Sequence, residues 1–89
     1  MNIVLDSRKV LQAIYALIDN ESYSLVVKID VGKMAEKVNM SRQHLNLCIH
    51  YLIASGYITG DFAYNHQENS SKEVIFTAKG IEKIENVIL

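Results

Sequence analysis

Residues 31–50 read VGKMAEKVNMSRQHLNLCIH. In the second half, Leu45, Cys48, Ile49 and Leu52 recur at i, i+3, i+4 and i+7, the spacing of one apolar helix stripe. In the first half, Asp30 can cap a short helix running from Val31 to Val38. Asn39-Met40-Ser41 breaks the pattern between them. Asparagine tolerates the positive φ that a tight corner demands, and serine suits the N-cap of the helix that follows. Ala35 is small where a crossing helix needs room. The stretch therefore predicts two helices meeting at a corner, joined by an apolar contact of Met34, Val38, Met40, Leu45 and Cys48. The second helix runs to Ser55, and Gly56 supplies the left-handed residue that ends it.

Upstream, Asp6 or Ser7 can cap a first helix whose stripe is Val10, Leu11, Ile14, Leu17 and Ile18, and Asp19-Asn20-Glu21-Ser22 ends it. Tyr23, Leu25, Val27 and Ile29 then alternate, which predicts a short strand with those four on one face. Downstream, Tyr57 to Tyr64 alternates again, with Ile58, Phe62 and Tyr64 on one face. Asn65 to Lys72 is wholly polar and reads as a loop, and Glu73 to Thr77 reads as a strand closing a long hairpin. Thr77 can cap a last helix, Ala78 to about Ile88, with Ile81, Ile84 and Ile88 on its stripe. The order is helix, strand, helix, helix, strand, strand, helix. We expect an α+β fold with one domain over residues 1–89: a bihelical unit at 31–55, a hairpin at 57–77 and a C-terminal helix at 78–88.

A chain of 89 residues with 49% apolar content can build a modest core without staples. The single cysteine, Cys48, forms no internal disulfide, which fits a reducing, cytoplasmic setting. Ile3-Val4-Leu5 is too short an apolar run for a signal peptide, and no segment is apolar enough to span a membrane. There is no Gly-rich phosphate loop, Gly-x-Ser-x-Gly, HExxH or paired-cysteine motif, so no catalytic, cofactor or metal site is expected. His44 and Cys48 stand four apart on one helix, but two ligands make no metal site and Cys48 lies on the apolar stripe. The five tyrosines are not interleaved with basic residues and read as packing groups.

The net charge of −1 and pI of about 6.3 are not those of a strongly basic nucleic-acid binder. The distribution is uneven. Residues 28–42 carry Lys28, Lys33, Lys37 and Arg42 against Asp30 and Glu36. Residues 56–89 carry Lys72, Lys79 and Lys83 against Asp61, Glu68, Glu73, Glu82 and Glu85.

The bihelical stretch resembles the helix-turn-helix family of DNA-binding proteins, through Ala35, Asn39 and Met40. Asn39 stands where that family usually has glycine. With the hairpin after it, the chain resembles the winged variety. The ending ITGDFAY…EVIFTAKGIEKIEN is similar to small phage-associated and bacterial winged-helix regulators. The resemblance implies a winged helix-turn-helix that regulates transcription by placing its third helix in the major groove of double-stranded DNA. On that reading Arg42 pairs with guanine, and Gln43 or Asn46 with adenine. Ser41 takes a phosphate, Lys33 and Lys37 attract the backbone, and Leu47 and His50 complete the outward face. Leu47 can touch a thymine methyl or face a protein partner. The wing loop holds His66, Glu68 and Lys72 but no arginine. Regulators of this kind are commonly homodimers through terminal helices, here Ile81, Ile84, Ile88 and Leu89 with Ile3-Val4-Leu5 at the other end. The alternative is a winged-helix protein-interaction module that binds no DNA, favoured by the acidic C-terminal third, the non-basic wing and Leu47.

Overall fold

The computed structural model describes residues 2–18, 24–60 and 71–85. Among them are four helices, α1 (Ile3–Leu17), α2 (Val31–Val38), α3 (Arg42–Ala54) and α4 (Ala78–Glu85). Three strands, β1 (Val26–Asp30), β2 (Ile58–Thr59) and β3 (Ser71–Phe76), form an antiparallel sheet in the order β1-β3-β2. The chain is thus a small α+β protein, with its elements in the order read from the sequence. No helix of the described residues is long and apolar enough to cross a membrane.

The sheet puts alternate residues on opposite faces. Val27 pairs with Val74 and Ile58 with Phe76, and these four, with Ile29, are buried against the helices. Val26 and its partner Ile75 face the other way and are exposed. From the helices the core takes Val10, Leu11 and Ile14 of α1 and Leu45, Cys48, Ile49 and Leu52 of α3, all of them buried. Met34 and Ala35 of α2 are buried too, and Val38 and Met40 pack against the core from its margin. Ile81 and Ile84 of α4 also pack against it, so part of the C-terminal stripe is spent within the chain. Tyr15 of α1 meets the Phe76 ring edge-on at 6.0 Å and donates its hydroxyl hydrogen to Glu85 of α4.

The structure corrects four sequence expectations. First, α1 begins at Ile3, because Asn2 caps it: its side-chain oxygen accepts the Leu5 N–H at 3.0 Å. Asp6 and Ser7 therefore lie inside the helix, and Ile3-Val4-Leu5 form its first turn. Second, β1 runs from Val26 to Asp30, and Leu25 is 47% exposed rather than facing inward with Val27 and Ile29. It lies beyond the last register pair, Val26 with Ile75: its carbonyl still accepts the Phe76 N–H at 2.8 Å, but its side chain stays at the margin of the sheet. Third, Ser71 and Lys72 belong to β3, not to the loop: they pair with Asp30 and Ile29. A strand partner across the sheet outweighs a polar local composition. Fourth, the first hairpin strand, read from Tyr57 to Tyr64, does not include Tyr57 or Gly60: among the described residues it is β2 at Ile58–Thr59. The expectations for Asp19 to Tyr23, Phe62 and Tyr64, the wing residues His66 and Glu68, and Ile88 and Leu89 fall outside the described residues.

Candidate functional site

The corner between α2 and α3 is built almost entirely from short-range bonds. Asp30 opens α2 by accepting the Lys33 N–H at 3.1 Å. Asn39 ends it in the left-handed region, φ 57° and ψ 51°. The Asn39 N–H donates to Glu36 O at 3.2 Å and the Met40 N–H to Ala35 O at 2.9 Å, the bond pair of a Schellman turn. Two residues later Ser41 caps α3, its hydroxyl accepting the His44 N–H at 3.1 Å. This leaves no slack between the helices. With Leu45 and Cys48 fully buried, the opposite side of the first turn of α3 must face outward.

Ser41, Arg42 and Gln43 are accordingly exposed at the leading end of α3. Asn46, one turn on, is half-buried, so less of its amide is offered than the sequence suggests. Leu47 is 42% exposed and His50 is exposed. Lys33 and Lys37 are exposed on α2, four residues apart and so on one face. Ser41 and Arg42 share an open concavity of 490 Å³ with Gly32, Ala35, Glu36, Asn39 and Met40. Its lining carries one cation, Arg42, and one anion, Glu36. Lys33 and Lys37 are not part of that lining.

Neither the protein-family models nor the curated proteins compared with this chain match it.

Two arrangements at this site had no signal in the spacing of residues. The Arg42 guanidinium lies back over the start of α2. A Cβ placed on Gly32 would stand 3.1 Å from Arg42 Nη2 and 3.5 Å from Asp30 Oδ1. Gly32 thus makes a bare shelf on which the guanidinium rests beside the Asp30 carboxylate. Behind the first turn of α3, His44 Nε2 lies 2.7 Å from Asp6 Oδ2 of α1. This pair is largely sheltered and ties the start of α3 to α1, which sets how far the exposed turn projects. The signal that was available was negative: His44 falls next to the apolar stripe, where an unpartnered imidazole would be costly.

Below this pair Ser7 is buried and its hydroxyl has no hydrogen-bond partner of good geometry. Cys48 is its neighbour. Burial pushes the Cys48 thiol above its ordinary pKa of 9.0, the Ser7 hydroxyl pulls it partly back, and the Asp6 charge raises it further. The thiol is therefore kept neutral and serves as a core group. No group of three or more His, Cys, Asp or Glu among the described residues is arranged to hold a metal ion.

Proposed function

We propose that this chain is a winged helix-turn-helix DNA-binding regulator, reading the major groove of duplex DNA with the first turn of α3. The observation that carries this reading is the exposure of Ser41, Arg42 and Gln43 together at the leading end of a helix whose inner face is locked into the core. A groove about 12 Å wide admits one helix, and the side chains at its start meet the base edges. Arg42 offers bidentate bonds to guanine once it leaves the Gly32 shelf. Gln43 offers an amide to adenine. Ser41 and the exposed Lys33 and Lys37 serve the phosphates. One such helix reads only a few base pairs, so the species on DNA is a pair of chains on two half-sites, and the whole of residues 1–89 acts as one unit.

Selection of bound duplexes from a random pool tests this directly. One sequence class should emerge, and Arg42→Ala should lose about 1–3 kcal/mol and relax selectivity at one position. Lys37→Ala should weaken binding to all duplexes alike. With roughly three phosphates neutralised per copy, log K against log salt should slope at about −3 per copy. A flat salt response counts against the reading. A second reading, a protein-interaction module on the same scaffold without DNA binding, is favoured by exposed Leu47 and by Glu36 in the concavity. An unenriched pool selects it.

A further inference from the structure

A second surface lies away from the α2–α3 corner, where α1, the C-terminal half of α3 and α4 converge. Here Val4 and Leu5 of α1 are 62% and 56% exposed, and Tyr51 of α3 is 37% exposed. Exposed Leu5 and Tyr51 line one cleft together with buried Leu11 and Leu52. The cleft volume is 110 Å³, somewhat less than the roughly 150 Å³ engineered cavity that takes up a benzene molecule. It is below the roughly 300 Å³ at which cofactor and substrate pockets begin, and it has room for one aliphatic side chain. An apolar patch with a polar rim is the usual mark of a contact surface.

The rim is charged with one predominant sign. Arg8 of α1 and Lys83 of α4 line the cleft, and both continue with Lys79 into an adjoining open concavity of 530 Å³ around Tyr57. Among the described residues Glu82 is the only acid in either lining, against these three cations. The Arg8 side chain makes no hydrogen bond or ion pair within the described residues. The two lysines are held over the Tyr57 ring, at 5.2 Å and 5.9 Å from its centre, and the Lys79 ammonium also donates to Ser55 O at 3.0 Å. Their ammonium groups are thereby gathered at the edge of the apolar cleft.

We infer that this cleft docks an acidic segment of a partner protein, which inserts one aliphatic side chain between Leu5 and Tyr51 and sets carboxylates against Arg8, Lys79 and Lys83. A concave slot for a single side chain suits a peptide, whereas a lipid surface presents no knob to fill it. Tyr51 follows Arg42 by nine residues, roughly 14 Å along the helix axis, so docking leaves the first turn of α3 open. The inference does not depend on DNA binding, and its test contains no DNA.

The test is selection from a displayed library of random dodecapeptides on the full chain. The same selection is run on Leu5→Gln and on the double variant Arg8→Glu/Lys83→Glu. Leu5 is already more than half exposed, so Leu5→Gln should keep the wild-type melting temperature. Selected peptides should share one Leu, Ile or Met beside two or more carboxylates. By fluorescence anisotropy they should bind each variant at least tenfold more weakly, and their Asn/Gln counterparts should bind the wild type at least tenfold more weakly. The inference is overturned by no enrichment, by enriched peptides without acids, or by undiminished binding to Leu5→Gln. It is equally overturned if sedimentation shows a dimer that Leu5→Gln dissolves, which gives the cleft to a second copy. Binding to phosphatidylglycerol vesicles in place of peptides overturns it as well.

Discussion

The turn after α2 and the turn after α3 close in the same way. Asn39 and Gly56 both take the left-handed conformation, at φ 57° and 83°. In each, the N–H of that residue reaches back three residues and the next N–H reaches back five: Asn39 to Glu36 and Met40 to Ala35, Gly56 to Ile53 and Tyr57 to Leu52. Their surroundings differ. The first turn runs straight into the Ser41 cap, and every bond that shapes it spans five residues or fewer. The second leads into β2 and is gripped from far along the chain. The Thr77 hydroxyl lies 2.7 Å from Gly56 O and 2.9 Å from Tyr57 O and donates to these carbonyls. The same hydroxyl accepts the Gly80 N–H at 3.0 Å. Identical local geometry thus serves two ends: a self-contained corner that leaves α3 free at its start, and a junction that welds its far end to β3 and α4.

If this contrast is right, damage to the junction should cost more stability than damage to the corner. The largest effect should come from Gly80→Ala. A Cβ there would stand 2.0 Å from the backbone oxygen of Tyr57 and 3.0 Å from the Phe76 ring, and neither can yield cheaply. A loss of about 3 kcal/mol, at the upper end of overpacking costs, is expected in urea unfolding. Thr77→Val keeps the shape but removes the hydroxyl, leaving Gly56 O and the Gly80 N–H without it. About 2 kcal/mol should be lost. At the corner, Asn39→Ala should cost about 1 kcal/mol, because alanine enters the left-handed region reluctantly, while Asn39→Gly should be close to neutral. A cost for Asn39→Ala above that for Thr77→Val would show that the corner, not the junction, carries more of the stability.

The smallest effect is one of pH. Cys48 has a folded pKa raised above 9.0, so the native state holds its proton where the unfolded chain releases it. Stability from this group is complete below pH 9 and declines as the pH rises beyond that value toward the folded pKa. Cys48→Ala should be less stable throughout, since it leaves a void, but its unfolding free energy should fall less steeply as the pH rises above 9.0 than that of the wild type. Parallel curves would show that the thiol titrates no differently in the fold.

The residues legible in advance were those whose partner lies within a turn of helix. Asp30, Asn39, Ser41 and Gly56 were assigned their roles from spacing alone, and each has the backbone geometry expected of it. The buried stripe of α3 followed from periodicity. The start of α1 was misread because several capping residues, Asn2, Asp6 and Ser7, stand close together, and local preference does not choose among them. At the candidate site, the outward position of Ser41, Arg42 and Gln43 was readable as the complement of that stripe. The Gly32 shelf, the half-burial of Asn46 and the Asp6–His44 pair were not.

The order of elements, the corner at Asn39 and the face that α3 turns inward are written in the amino-acid sequence. These depend on contacts a few residues apart, which chain geometry makes inevitable once a helix forms. The packing of distant elements is what lays β1 on β3, brings His44 to Asp6 across 38 residues, and lets Thr77 lock the turn at Gly56 from 21 residues away. Closing such loops costs an entropy that varies slowly with length, so spacing carries almost no information about which distant partner is chosen. The choice rests on burying the apolar faces together in one core.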